Sequence, residues 1–290
     1  IDGGSIYSND LGIYVNEHSQ VEIKKGTIYG ETYALSGLGK DKDGNTSDYS
    51  VVTINGGNIS SNSLEGATIY QPQNGELIIN GGNITGLTPI YVKSGTLTVP
   101  ENSTAVITGT GAKADYNPVG NGLYSTGNAV VIDNCDYPGG APAATIAGGT
   151  FISNNNDAVA VHVARKINNV LTDVTDDPSY KANIKESIDI SGGAFSNTVP
   201  EEYCKDEKRL KGYKILCKKL MTSPYFQPNS EVFGESLVER AISYGDKETA
   251  IAIIRHKDFK KPKTFKNFDN EKEFKKLEKR ANNILYRIFC

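Results

Sequence analysis

One phrase recurs along the chain and limits what it can fold into. An alternating apolar run ends in Ile, a small or polar residue and two glycines follow, and a small polar residue then leads into Ile or Phe. It reads Ile54-Asn55-Gly56-Gly57-Asn58-Ile59 and again Ile79-Asn80-Gly81-Gly82-Asn83-Ile84. It returns as Ile146-Ala147-Gly148-Gly149-Thr150-Phe151 and Ile190-Ser191-Gly192-Gly193-Ala194-Phe195. A first copy opens the chain at Ile1-Asp2-Gly3-Gly4-Ser5-Ile6, and a weaker one is Ile23-Lys24-Lys25-Gly26-Thr27-Ile28. Self-similarity at intervals of a few tens of residues is the signature of a solenoid, in which each unit buries its apolar side only by stacking on the next.

Each repeat carries two short strand-like runs, the second of them the one that enters the glycines, besides the strand that follows them. One is typified by residues 12–15, 68–70, 89–92, 129–132 and 158–161, the other by 21–23, 52–54, 77–79, 96–99, 144–146 and 188–190. Both alternate with period two and are rich in β-branched residues, as strands with one face inward are. The glycine pair allows positive φ and close approach of a neighbouring rung. Strand, bend, strand, tight glycine corner, strand is one coil of a parallel β-helix. Gly57 and Gly82 are 25 residues apart, one coil; Gly149 and Gly193 are 44 apart, one coil with an insertion over 164–187, where alternation is lost. Residues 36–50 and 110–128 read as further polar insertions. Asn55 stacked on Asn80, and Asn58 on Asn83, at about 4.8 Å would let their amides hydrogen-bond along the axis; Asn as a plain turn residue is the alternative.

The phrases VTINGGNIS, LIINGGNITG, ATIAGGTFIS and IDISGGAFSNTVPEEYC resemble the right-handed parallel β-helix repeats of large cell-surface and secreted proteins of gut Firmicutes, over residues 1–204. The resemblance implies the fold and an extracellular or cell-surface location. The proteins that share it include adhesin-like arrays, phage tail spikes and polysaccharide-degrading enzymes, so it implies no single activity.

Charge changes sign with the repeats' end. Residues 204–290 hold 21 Lys and Arg against 12 Asp and Glu, a net of +9, and residues 1–203 hold 10 against 22, a net of −12. Two domains are expected, 1–204 and 205–290. The second is helical in pattern. A short amphipathic helix over 236–244 ends at Gly245, a natural left-handed C-cap, and Asp246 caps a second over 247–256. Phe226 and Phe259 are 33 residues apart, the ankyrin period. This segment looks like an ankyrin repeat, with a half-repeat over 208–226, although Ser236-Leu237-Val238-Glu239 stands where Thr-Pro-Leu-His is usual. Residues 270–289 form a basic amphipathic helix, read as an end cap. Without a nucleic-acid motif, its charge does not point to nucleic acid.

The chemistry-bearing residues are sparse. No P-loop, dinucleotide fingerprint or nucleophile elbow is present. Cys135, Cys204, Cys217 and Cys290 form no CxxC pair, so no zinc site is expected; Cys204 and Cys217 are either a local disulfide or free thiols. His162 alternates with Val161 and Val163 and so faces away from the core. Asp133, Asp136 and Asp157 are the acidic candidates for a groove that holds a cation or a catalytic pair, against a local role in turns. Tyr14, Tyr70 and Tyr91, facing outward, would form an aromatic ladder for sugar rings; facing inward, they would close the core. No run reaches the roughly 20 apolar residues of a membrane span. Because the chain opens inside a repeat, it is read as a mature or trimmed fragment.

The expectation is a mainly β, right-handed parallel β-helix solenoid of about seven coils with a small C-terminal α-helical ankyrin-like segment. It is non-enzymatic, adhesive or structural, without catalytic residues, cofactor or metal. Its partners are a glycan or a host or partner protein, bound on the face and insertion loops at Tyr14, Tyr70, Tyr91, Asp133, Asp136 and Asp157. The alternatives are a carbohydrate-active enzyme or tail-spike-like protein, and an ankyrin-mediated interaction scaffold.

Overall fold

A computed structural model describes residues 1–39, 49–118, 125–204, 231–232, 235–243, 247–254, 259–262 and 271–278. The chain divides into two compact units, Ile1–Gly212 and Tyr213–Cys290.

The first unit is mainly β and is built of three sheets, of seven, seven and six strands, parallel throughout except for one antiparallel edge strand in the second. Successive strands visit the first, second and third sheets in turn and then return to the first, one rung along. This is a β-helix-like stack of coils. Each rung's apolar residue sits in register with its neighbours. In the first sheet Ile6, Ile28, Ile59, Ile84, Ile107, Phe151 and Phe195 form one file. Val21, Val52, Leu77, Leu97, Ala144 and Ile188 form another in the third. Most of these side chains are fully buried, in one continuous core. Because each coil presents the same positions inward, burial accumulates along the axis, at about 25 cal/mol per Å² of apolar surface.

The glycine phrase is the corner between the third and first sheets. Gly57 and Gly82 both adopt left-handed backbone, with φ of 95° and 97°. Gly82 sits one rung above Gly57. A Cβ on Gly82 would come within 3.0 Å of the Gly57 carbonyl oxygen and of the Gly56 carbonyl carbon. Positive φ and contact with the rung below both exclude a side chain here. The amides flanking the corner stack as anticipated. Asn80 Nδ2 donates to Asn55 Oδ1 at 2.7 Å, Asn83 Nδ2 to Asn58 Oδ1 at 3.0 Å, and Asn55 Nδ2 to Glu22 Oε1 at 2.9 Å.

The insertion at 164–187 is structured. The strand Val159–Ile167 outruns its parallel partner and folds back antiparallel on Val170–Asp173. Asp177 then caps the helix Pro178–Lys185, its side chain accepting from the Ser179 amide, with Pro at the helix start.

In the second unit, helices Leu237–Ser243 and Lys247–Ile254 pack Val238, Ala241, Ile242, Ala250 and Ile253 against Phe274 and Leu277 of a helix over 271–278. Ser236 and Glu239 form a capping box: the Glu239 amide donates to Ser236 Oγ at 3.3 Å and the Ser236 amide to Glu239 Oε2 at 3.4 Å. Gly245, Asp246, the half-repeat at 208–226, Cys217, Cys290, His256 and the loop over 40–45 lie outside the described residues.

Candidate functional site

The outer surfaces of the first and second sheets are the two places where side chains with chemistry gather. On the second sheet, strands Ile69–Gln71, Ile90–Val92, Val130–Asn134 and Val159–Ile167 lie side by side. Ile90, Val130 and Val159 point inward, so Tyr70, Tyr91, Val131 and Ala160 form the adjacent outward file. Further along the strands, Asp133 pairs with His162. In a monomeric solenoid such a face ordinarily meets water. Here it is covered.

Asp133 and Lys93 are both fully buried and form an ion pair at 3.0 Å. The Tyr91 hydroxyl donates to Asp133 Oδ2 at 2.8 Å, and the Tyr116 hydroxyl donates to Oδ1 at 2.7 Å. Lys93 Nζ also donates to Cys135 Sγ at 3.2 Å and lies 5.5 Å and 5.4 Å from the ring centroids of Tyr91 and Tyr137. Tyr116 stacks flat on His162, centroids 3.9 Å apart. The Tyr70 hydroxyl donates to that of Tyr137 at 3.0 Å, and its ring stacks on Tyr33 at 5.6 Å. Burial, reinforced by the Asp133 charge, holds the Tyr91 and Tyr116 phenols far above their ordinary range, so both remain donors. Burial also pushes the Cys135 thiol up to about 11, Asp133 adding to the rise and Lys93 opposing it. The same burial lowers His162, against the pull of Asp133, Asp173 and Asp157.

This geometry corrects the expectation of an exposed tyrosine ladder. Tyr70 and Tyr91 do point outward from the sheet, but their exposures are 6% and 0%. Tyr116 of the 110–128 insertion and Tyr137, just after the strand Val130–Asn134, lie against this face. Tyr14, at 50% exposure, alone of the three stays open to solvent. Asp133 belongs with Tyr91 in the buried cluster. Asp136 turns instead to Arg165, Oδ1 to Nε 3.2 Å. Asp157 is bridged to Thr198 and accepts from its hydroxyl, and its charge, like that of Asp133, acts on His162. Each carboxylate answers a local donor. Among the described residues no group of three or more His, Cys, Asp and Glu is placed to hold a metal.

The outer surface of the first sheet is open. One outward file is Tyr7, Tyr29, Ser60, Thr85, Thr108 and Ile152. Beside it run Ser5, Thr27, Asn58, Asn83, Val106 and Thr150. Tyr7 is 71% exposed and its ring lies 6.3 Å from that of Tyr29, tilted by 41°. The Tyr29 hydroxyl donates to Glu31, which raises its pKa. At the entry to these strands the glycine corners leave a shallow groove along the axis, lined by Lys25, Asn55, Gly56, Asn58, Asn83 and Thr104 among others. Sequence reasoning passed over Tyr7 and Tyr29. The signal was there: each follows the inward Ile two residues past its neighbour in the corner phrase, in Ser5-Ile6-Tyr7 and Thr27-Ile28-Tyr29.

Comparison of the chain with protein-family models, curated proteins and solved structures finds no match.

Proposed function

We propose that the first unit is a right-handed parallel β-helix of a cell-surface or secreted protein, followed by an ankyrin-like helical segment, and that its outer first face binds a glycan chain without turning it over. The observation that carries this reading is the continuity of that open face: two neighbouring tyrosines, one of them 71% exposed, lead into a field of Ser, Thr and Asn and a groove edged by stacked amides. Sugars are recognised by aromatic faces against their C–H surfaces and by amide and hydroxyl groups against their hydroxyls. A solenoid repeats these groups at about 4.8 Å per rung, which suits an extended, repeating ligand better than a compact one. A binding role is favoured over hydrolysis because Asp133, fully buried, is saturated by three donors beneath protein, whereas a glycosidase needs two carboxyl groups facing one open groove, roughly 5–10 Å apart.

The test is a glycan-array screen of the full chain, with its oligomeric state measured in parallel. Retention of polysaccharides, weakened at least tenfold by Tyr7→Ala and unaffected by Tyr14→Ala, is the expected result. Release of shortened or unsaturated sugars from a retained polysaccharide would reassign the protein to the enzymes. A stable trimer would favour the tail-spike alternative.

A further inference from the structure

The closed face of the second sheet holds an unusual set of groups. A lysine and an aspartate, both without solvent exposure, meet on adjacent parallel rungs, and two phenols address the two oxygens of the same carboxyl group. An ion pair in such surroundings carries a large desolvation cost for each charge. The cost vanishes if the two charges are consumed together. The geometry points to an intramolecular amide: Lys93 Nζ condensed with the side-chain carboxyl of Asp133, a covalent rung-to-rung bridge formed by the folded protein itself.

The parts needed for the reaction are in place. Lys93 Nζ lies 3.0 Å from Asp133 Oδ2, with the Tyr91 and Tyr137 rings beside it. In a low-dielectric site, transfer of one proton from the ammonium to Oδ2 gives a neutral amine facing a neutral acid. The amine attacks Cγ and the N–C bond forms. Negative charge develops on Oδ1, where the Tyr116 hydroxyl already donates at 2.7 Å and acts as the oxyanion donor. The second proton lost by nitrogen passes to Oδ2, with the Tyr91 hydroxyl positioned on that oxygen at 2.8 Å as relay. The Cγ–Oδ2 bond then breaks and Oδ2 leaves as water. An ammonium and a carboxylate become a secondary amide and one water, so no oxidant, reductant or further reactant is required. The raised phenol pKa values are consistent with this role, since both tyrosines stay protonated. The product ties the strand Ile90–Val92 to the strand Val130–Asn134 and closes the intervening chain, including the insertion that carries Tyr116, into a covalent loop. Such a tie resists pulling along the axis, where a stack of coils otherwise relies on hydrogen bonds between rungs.

Intact mass of the full chain, purified folded and then unfolded for electrospray, tests this. The expected mass falls short of the sequence by one water in most molecules. Fragmentation should recover a branched peptide joining Lys93 to Asp133. Lys93→Met should abolish the deficit and Cys135→Ser should keep it. A mass equal to that of the sequence overturns the proposal. So does a water deficit confined to one unbranched peptide, as a succinimide at Asp133 would give. Gain of one oxygen with loss of two hydrogens also overturns it, by placing the bridge between Lys93 and Cys135 instead. The wild-type measurement decides without any variant having to fold.

Discussion

Tyr70 and Tyr91 project from consecutive rungs of the second sheet and are buried; Tyr7 and Tyr29 project from consecutive rungs of the first, and Tyr7 is 71% exposed. The backbone is the same in both places, parallel strands one rung apart with an apolar neighbour pointing inward. What differs is what the chain does between coils. Insertions of the second sheet's side bring Tyr116 and Tyr137 onto that face, and a second, outer cluster forms around Tyr70, Tyr91, Val131 and Ala160. The first sheet's strands are mostly entered through short glycine corners, the longer corner over 100–105 excepted. So one face becomes part of the protein's interior and the other remains available to a ligand. In a solenoid, insertions rather than strands decide which surface binds.

The largest effect should come from breaking the charge balance of the covered face. Lys93→Met leaves Asp133 buried with phenols but no cation, and should cost about 3–5 kcal/mol in denaturant unfolding. In molecules whose pair is still ionic, Lys93→Met combined with Asp133→Leu should recover much of that loss, because an apolar pair carries no desolvation cost. Equal destabilisation by the single and double variants would point instead to a covalent Lys93–Asp133 bridge, which both variants remove.

Tyr91→Phe sharpens the same point at smaller scale. It removes one donor to Asp133 while keeping the ring against Tyr70, 6.2 Å between centroids. A loss of about 1.5–3 kcal/mol in denaturant midpoint measurements is expected for a hydrogen bond to an ionised carboxylate, and a smaller one once the pair is an amide, because Oδ2, the oxygen Tyr91 addresses, has then left as water. The measurement therefore also reports the state of the Lys93–Asp133 pair.

How much of this was legible beforehand follows from which interactions are local. The corner phrase fixed positive φ at Gly57 and Gly82 and hence the coil, because backbone sterics act on the residue itself. Inward files were legible because alternation and register repeat at each coil. His162 was rightly placed opposite Val161 and Val163. The covering of Tyr91 was not legible: Tyr116 lies in an irregular insertion, and nothing in its neighbourhood encodes which sheet it returns to. The helix Pro178–Lys185 was overlooked although Asp177 and Pro178 announce it, because a search for period-two alternation sees only its absence. Asp133 drew attention as an acid in a possible groove; its true partner Lys93 lies 40 positions earlier, a separation that only the stacking of coils makes short.

Acidification should distinguish the two faces through His162. Burial depresses its folded-state pKa below the ordinary 6.5. The unfolded chain therefore takes up a proton first as pH falls, and stability is lost between 6.5 and the lower folded value. Urea midpoints should decline from pH 7 toward pH 5, and His162→Phe, which keeps a ring against Tyr116, should flatten that part of the profile. Binding through the first face carries no histidine among its files and should change less over the same range.

The smallest expected effect on stability is also the most informative about function. Tyr7→Ala removes an exposed ring from the edge of the first sheet, and a surface substitution of this kind shifts stability by no more than about 0.5 kcal/mol. Asn83→Ala removes the amide that donates to Asn58 at 3.0 Å in an exposed ladder, with a loss of about 0.5–1 kcal/mol. Neither change reaches the core, since Ile6 and Ile84 fill the inward positions of the same strands. If the first face is the binding surface, polysaccharide retention should drop in both variants while thermal unfolding barely moves. On the covered face the order is reversed, because there a tyrosine is a structural hydrogen-bond donor before it is anything else. Retention that survives Tyr7→Ala and Asn83→Ala but fails with Tyr14→Ala would move the ligand to the open end of the second sheet, ahead of the rungs that Tyr116 and Tyr137 cover.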